Sequence, residues 1–172
     1  MYEPLIRQLV ELPFPSLCEL AKTPDQSLAI MILLDQISRN SLRGPAAIYV
    51  YQTCDPVALK FSYYCMEQGH DKGRAPHKTF WYYMPLGHSE NLGDQELSLA
   101  RNAQLANDVR NSEEWKAGHG SAEVGLDHAI KFYGTIKKFG RFPSRNAIWG
   151  RETTAEEKEF MEKGGWGFGF TS

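Results

Sequence analysis

The chain has 172 residues, 42% of them hydrophobic and 23% charged, with a formal net charge of −2. That length and apolar content suit a single helical domain over residues 1–172 with material for a sizeable core. The 19 basic residues are scattered rather than massed, which argues against a protein built to grip nucleic acid or an anionic membrane. Cys18, Cys54 and Cys65 have no Cys-x-x-Cys spacing and read as three ordinary thiols of a reducing compartment. The opening Met1-Tyr2-Glu3-Pro4 lacks the order of a secretory signal, and the apolar run Leu28–Leu34 is too short to span a bilayer, so the expected location is cytoplasmic.

In chain order, Leu5, Ile6, Leu9 and Val10 fall on one face of a helix over Tyr2–Leu12, which Pro13 and Pro15 stop. Ser16 caps a short turn ending near Lys22. Asp25 is the expected N-cap of a central helix through Asn40, halted at Gly44-Pro45. Asp55-Pro56 reads as N-cap and N1 of a helix to Gly69. Phe80–Leu86 reads as a short helix broken by Pro85 and Gly87. Asp94 opens a longer one, and Asn111–Gly120 reads as a loop. Ser121 caps a helix through Phe139 with Gly140 at C′, and Thr154-Ala155-Glu156-Glu157 has capping-box form for a last helix to about Lys163. No segment alternates with the period of a strand. The expected fold is all-α, with six to eight helices as antiparallel pairs. The first 24 residues are set apart as a divergent N-terminal part. The Gly/aromatic tail at 164–172 is expected to fold back and plug a crevice.

Polar residues interrupt the apolar pattern in three places. On the central helix Asp35 and Arg39 share a face, with Gln36, Asn40 and Arg43 alongside. Asp35 stands seven residues after Leu28 and so inherits a core-facing direction. Buried charges of this kind need partners. Further on, His88 is followed by Glu90, a candidate base with a carboxylate to orient it. Gln95 and His128 are candidates for the same polar zone. His88, Glu90 and His128 have no diagnostic metal-ligand spacing, and neither metal nor cofactor is expected. After the Gly140 stop come Arg141, Arg145, Asn146 and Arg151. Guanidinium groups around one pocket select a carboxylate or phosphate, and Phe80-Trp81-Tyr82-Tyr83 supplies an aromatic wall or core packing.

Four motifs occur in order: Leu33-Leu34-Asp35-Gln36-Ile37-Ser38-Arg39-Asn40, Met84-Pro85-Leu86-Gly87-His88-Ser89-Glu90, Gly140-Arg141-Phe142-Pro143-Ser144-Arg145-Asn146, and Gly150-Arg151-Glu152-Thr153-Thr154-Ala155-Glu156-Glu157. Together, over about Leu28–Phe160, they resemble the uncharacterised DUF924 family. The resemblance implies an all-helical fold similar to tetratricopeptide repeats (TPR) and makes these polar positions signature positions. It brings no reaction with it. Two departures stand out. The aromatic opening usual upstream in the family is not visible, a difference that would open the groove or leave a surface for a homodimer to cover. Ser144 also stands where the family usually shows His, so a scheme needing an acid or base there has no such residue in this chain.

The leading expectation is a small-molecule site in a helical groove. Arg141 and Arg145 would hold an anionic organic ligand, with Arg39, Asn146 and Arg151 beside them. His88 would be the acid or base, oriented by Glu90, with Asp35, Gln36, Asn40, Gln95 and His128 in support. The product is a cofactor-independent enzyme acting on a small organic acid. Two alternatives stand beside it: a TPR-like, non-catalytic scaffold that clamps a peptide or C-terminal carboxylate, and a purely structural polar network.

Overall fold

The structure, a computed structural model, describes residues 2–116 and 119–165. Helix α1 (Glu3–Glu11) buries Ile6 and Leu9, and α2 (Phe14–Glu19) buries Leu17. Helix α3 (Pro24–Met31) is capped by Thr23, whose hydroxyl accepts from Gln26 N while Gln26 Oε1 accepts from Thr23 N. The cap therefore falls two residues before Asp25, which instead binds Arg74 and Lys78. The chain then passes without a break through a π-helical turn, Ile32–Ile37, into α4 (Ser38–Ser41). The expected central helix is present, and its widened turn carries Asp35.

A second continuous rod follows. A 3₁₀ turn at Gly44–Ala46 leads into α5 (Ala47–Tyr49), a π turn at Val50–Cys54 and α6 (Asp55–Glu67). Asp55 is thus inside a running helix rather than at its N-cap, because the turn before it already carries helical dihedrals. Helix α7 (Pro76–His88) runs through Pro85 instead of breaking there. Proline removes one backbone donor from a helix interior. In that same turn the Ser62 hydroxyl donates to Tyr82 O at 2.5 Å. Helices α8 (Leu92–Arg110), α9 (His119–Phe139) and α10 (Ala155–Glu162) complete the chain. Asn91, not Asp94, caps α8 by accepting from Gly93 N and Asp94 N. Among the described residues α9 reaches back to His119, two residues before the expected Ser121 cap. Gly140, with φ of 68°, ends α9 as its position after Phe139 predicts. Thr154 and Glu157 form the capping box of α10. The expected plug by the tail lies, beyond Gly165, outside the described residues.

The described residues form eight continuous helices and no strand. Consecutive helices α6, α7, α8 and α9 pack on one another in turn, and α3 lies against α6 and α7. That serial order is compatible with a TPR-like array. Three apolar clusters result: Leu34, Phe61, Tyr82 and Leu86 belong to the largest, Ile6, Val50, Tyr51 and Cys54 to a second, and Phe132, Ile136 and Phe142 to a third. Cys18, Cys54 and Cys65 are all free thiols. No described helix is long and apolar enough to cross a membrane.

Candidate functional site

The polar residues occupy the seam between the three apolar clusters. Asp35 follows Leu34 of the first, Asp55 follows Cys54 of the second, and the His88 ring lies 6.3 Å from that of Phe132 in the third. Asp35 and His88 are each 1% exposed, and His88 Nδ1 is 2.6 Å from Asp35 Oδ1. Burial alone would raise the Asp35 carboxyl. His88, Arg39 and Gln36 outweigh it and hold the group below its ordinary value. Burial, reinforced by Arg39, holds the His88 imidazole below its ordinary value in spite of Asp35. The pair is therefore a carboxylate facing a neutral ring. Arg39 Nε also lies 3.1 Å from Nδ1. A ring nitrogen cannot donate and accept at once, so with Asp35 ionised Nδ1 carries the proton toward Asp35, and Nε2 is the basic atom.

Arg39 bridges the two π turns. Its Nη2 donates to Asp55 Oδ1 at 2.5 Å and lies 3.8 Å from Asp35 Oδ1. A π turn adds a residue to the helical repeat and re-aims what it carries, and such turns recur at functional sites. Here one carries Asp35 and the other ends at Cys54, so each delivers a carboxylate to the same guanidinium. Gln36 Nε2 donates to the second oxygen of Asp35.

The turn bearing His88 is held at the end of α7 without a glycine cap. Gln95 Nε2 donates to Gly87 O and Ser89 O, each at 2.7 Å, and Arg145 Nη2 donates to His88 O at 2.9 Å. Three carbonyls that a helix end leaves over are thus taken by side chains, one of them a cation suited to the negative end of the helix. Arg145 is 4% exposed, with its guanidinium 4.6 Å from the centres of both the Tyr51 and Phe142 rings. Burial pulls its pKa down, against the pull of Asp55 Oδ2 at 4.0 Å.

His88, Arg145, Asp55 and Glu90 line one cleft of about 230 Å³, walled by Tyr51 and Trp149. Asp55 Oδ2 and Arg145 Nε, both buried, have no hydrogen-bond partner among the described residues.

Several expected members stand elsewhere. Glu90 does not orient His88; Asp35 does. Glu90 binds Arg151 through both oxygens, at 2.8 and 3.0 Å, and accepts from Phe142 N at 2.9 Å. Burial raises its carboxyl, but Arg151 and the Phe142 N–H outweigh that and leave it below its ordinary value. Arg141 does not reach the cleft, because Glu157 engages it at 2.7 and 3.0 Å. The Arg141 bonds, joined by the Thr154 N–H and Asn146 and opposed by burial, lower Glu157 to about 2. Asn146 Nδ2 donates to that same carboxylate at 3.1 Å. Asn40 is exposed and accepts from Arg43. His128 stacks on Phe132, centroids 5.9 Å apart, rather than joining His88. Among the described residues no three His, Cys, Asp or Glu side chains cluster as a metal site would require.

Asp55, Tyr51 and Trp149 were not among the expected site residues. The signal for the first two was the apolar run Tyr49-Val50-Tyr51, which implies a helix already under way and puts Tyr51 and Asp55 on one face.

An all-helical protein with a buried ionic network opening on a small cleft is the class that the fold and the site define. The chain belongs to the DUF924 family: the family described as "Bacterial protein of unknown function (DUF924)" matches residues 4–165, reaching upstream of the motif-bearing stretch. The solved structure of a protein of unknown function from Agrobacterium tumefaciens is similar at 30% identity, covering 94% of this chain and 77% of that one with a TM-score of 0.72. No curated protein matches.

Proposed function

We propose that the cleft is a small-molecule site in which His88, oriented by Asp35, moves a proton while Arg145 holds an anionic group of an organic acid, with no cofactor taking part. The observation that carries this reading is the 2.6 Å contact between a buried imidazole and a buried carboxylate on a ring that lines a cleft. A carboxylate on Nδ1 fixes the tautomer and raises the basicity of Nε2, as a general base requires. Arg145 Nε supplies a donor that the described residues do not use. The volume of about 230 Å³ lies below the range of about 300–1,000 Å³ of drug-sized pockets and limits the occupant to a small molecule.

A panel of small carboxylic acids tests this, with the Trp149 indole resonance reporting occupancy and ligand spectra reporting conversion. At least one acid is expected to move Trp149 and to be converted. The response is expected to fall at least tenfold in Arg145→Gln. Conversion is expected to vanish in His88→Asn, which keeps a donor toward Asp35 without an acid or base. Equal conversion in His88→Asn overturns the proton-transfer role. No acid moving Trp149 overturns the site.

One observation favours the structural reading. Asp35 and Asp55 balance Arg39 and Arg145 around a neutral His88, so the network has no excess positive charge to attract an anion. The scaffold reading would place a terminal carboxylate on Arg145, and His88→Asn would then leave binding unchanged.

A further inference from the structure

A second cleft, of about 270 Å³, lies between the turn joining α6 to α7 and the exposed side of α8. Asp71 lines it and is 4% exposed. One of its carboxylate oxygens accepts from the Tyr83 hydroxyl at 2.9 Å; the other, Oδ1, is buried and has no partner among the described residues. Burial and then the Asp71 charge raise the Tyr83 phenol, which keeps its proton and remains a donor. Arg74 lines the same cleft. One arm of its guanidinium binds Asp25, while its Nε is buried and has no partner among the described residues. A buried acceptor and a buried donor left incomplete beside one hollow are costly unless something supplies their complements.

The surroundings narrow what that is. Lys72 and Arg101 stand exposed at the rim and form no ion pair among the described residues. Asp71 and Asp108 stand against them in charge, and Arg74 shares Asp25 with Lys78, so both signs line the cleft. Asp71 offers an incomplete acceptor and Arg74 an incomplete donor, so a ligand with a cation at one end and an anion at the other answers both. Trp115 and Leu105 provide an apolar wall.

We propose that this cleft binds a free α-amino acid or a similarly small zwitterion, its ammonium on Asp71, its carboxylate on Arg74 and Arg101, and its side chain against Trp115. The site is separate from the His88 cleft and stands whether or not that cleft is catalytic.

The two clefts carry different tryptophans, Trp115 here and Trp149 there, so indole resonances distinguish them. The twenty free L-amino acids, with their N-acetyl and carboxamide derivatives, are titrated into the full chain. At least one free amino acid is expected to move Trp115 in a saturable way and leave Trp149 still. Its N-acetyl derivative, which lacks the ammonium, and its amide, which lacks the carboxylate, are each expected to bind at least tenfold more weakly. Arg101→Gln, an exposed substitution, is expected to weaken binding at least fivefold, and Asp71→Asn to weaken it further where that variant folds. Either derivative binding as well as its parent overturns the zwitterion, unchanged affinity in Arg101→Gln overturns the rim contact, and no amino acid moving Trp115 at 10 mM overturns the site.

Discussion

Two polar knots, one within the C-terminal part of the chain and one joining that part to earlier helices, are built differently. In the first, Arg141, Asn146 and the Thr154 N–H all converge on Glu157, and both carboxylate oxygens are used. Asn146 Oδ1 is left over, and the clefts described above are not lined by this knot. In the second, Asp35, His88, Arg39 and Arg145 are buried with Asp55 at their edge and the charges balance, yet Asp55 Oδ2 and Arg145 Nε are left incomplete beside a cleft. A network that only fastens helices has reason to consume its donors and acceptors, since each one left over costs free energy. The first knot reads as a fastener. The second reads as a frame around something.

The largest effect expected is from Asp35→Ala. It leaves the buried His88 ring without its acceptor and takes one of two carboxylates from buried Arg39, which keeps Asp55, and is expected to cost about 3–5 kcal/mol of unfolding free energy by urea denaturation. A loss no greater than that of a surface substitution would show that Asp35 is not the compensating charge. Glu157→Gln in the other knot is expected to cost about 2 kcal/mol, since it weakens charge-assisted bonds but leaves a polar group of the same shape. The two also part by pH. Glu157 is held at about 2 against an ordinary 4.5, so its contribution is complete above pH 4.5 and is lost as pH falls toward 2. Wild-type stability is expected to drop across that window more steeply than that of Glu157→Gln. Equal slopes would place the Arg141–Glu157 bond outside the folding balance.

What could be read from the sequence was local. The capping box at Thr154, the Gly140 stop and the shared face of Asp35 and Arg39 are contacts within four residues, and a single chain displays them. His88 could be picked out as a polar residue in an apolar stretch, but not its partner: Asp35 lies 53 residues away, while Glu90, two residues away, turns to Arg151. Proximity in sequence favoured the wrong carboxylate. The π turns were illegible for a related reason. Their residues are ordinary helix formers, and the widened repeat is set by what packs on it. Pro85 misled in the opposite direction, because the turn around it, residues 82–88, is buried throughout and tertiary packing overrides local propensity. Asp71 escaped notice altogether, since in Gly69-His70-Asp71-Lys72-Gly73-Arg74 it looks like any turn residue and only the fold buries it.

The smallest effect expected is also the one that bears most directly on the cleft. His88 is held below its ordinary 6.5, so the folded protein keeps it neutral while the unfolded chain takes up a proton as pH falls through 6.5. The contribution of the neutral ring is therefore complete above pH 6.5 and declines below it, by at most about 1.4 kcal/mol per pH unit for one proton. Asp35 opposes this by favouring the charged ring, whereas burial and Arg39 support it. His128 on α9 is shifted in the same direction by its own burial, so the wild-type slope has at least these two contributors. The difference between wild type and His88→Asn isolates the first. Stability measured from pH 7 to pH 5.5 is expected to decline more shallowly in the variant. Equal slopes would mean that His88 takes up its proton alike in the folded and unfolded chain, so that burial does not hold the ring neutral. A decline steeper in the variant than in wild type would mean that the folded protein keeps both ring nitrogens protonated, leaving no lone pair with which to act as a base on anything in the cleft.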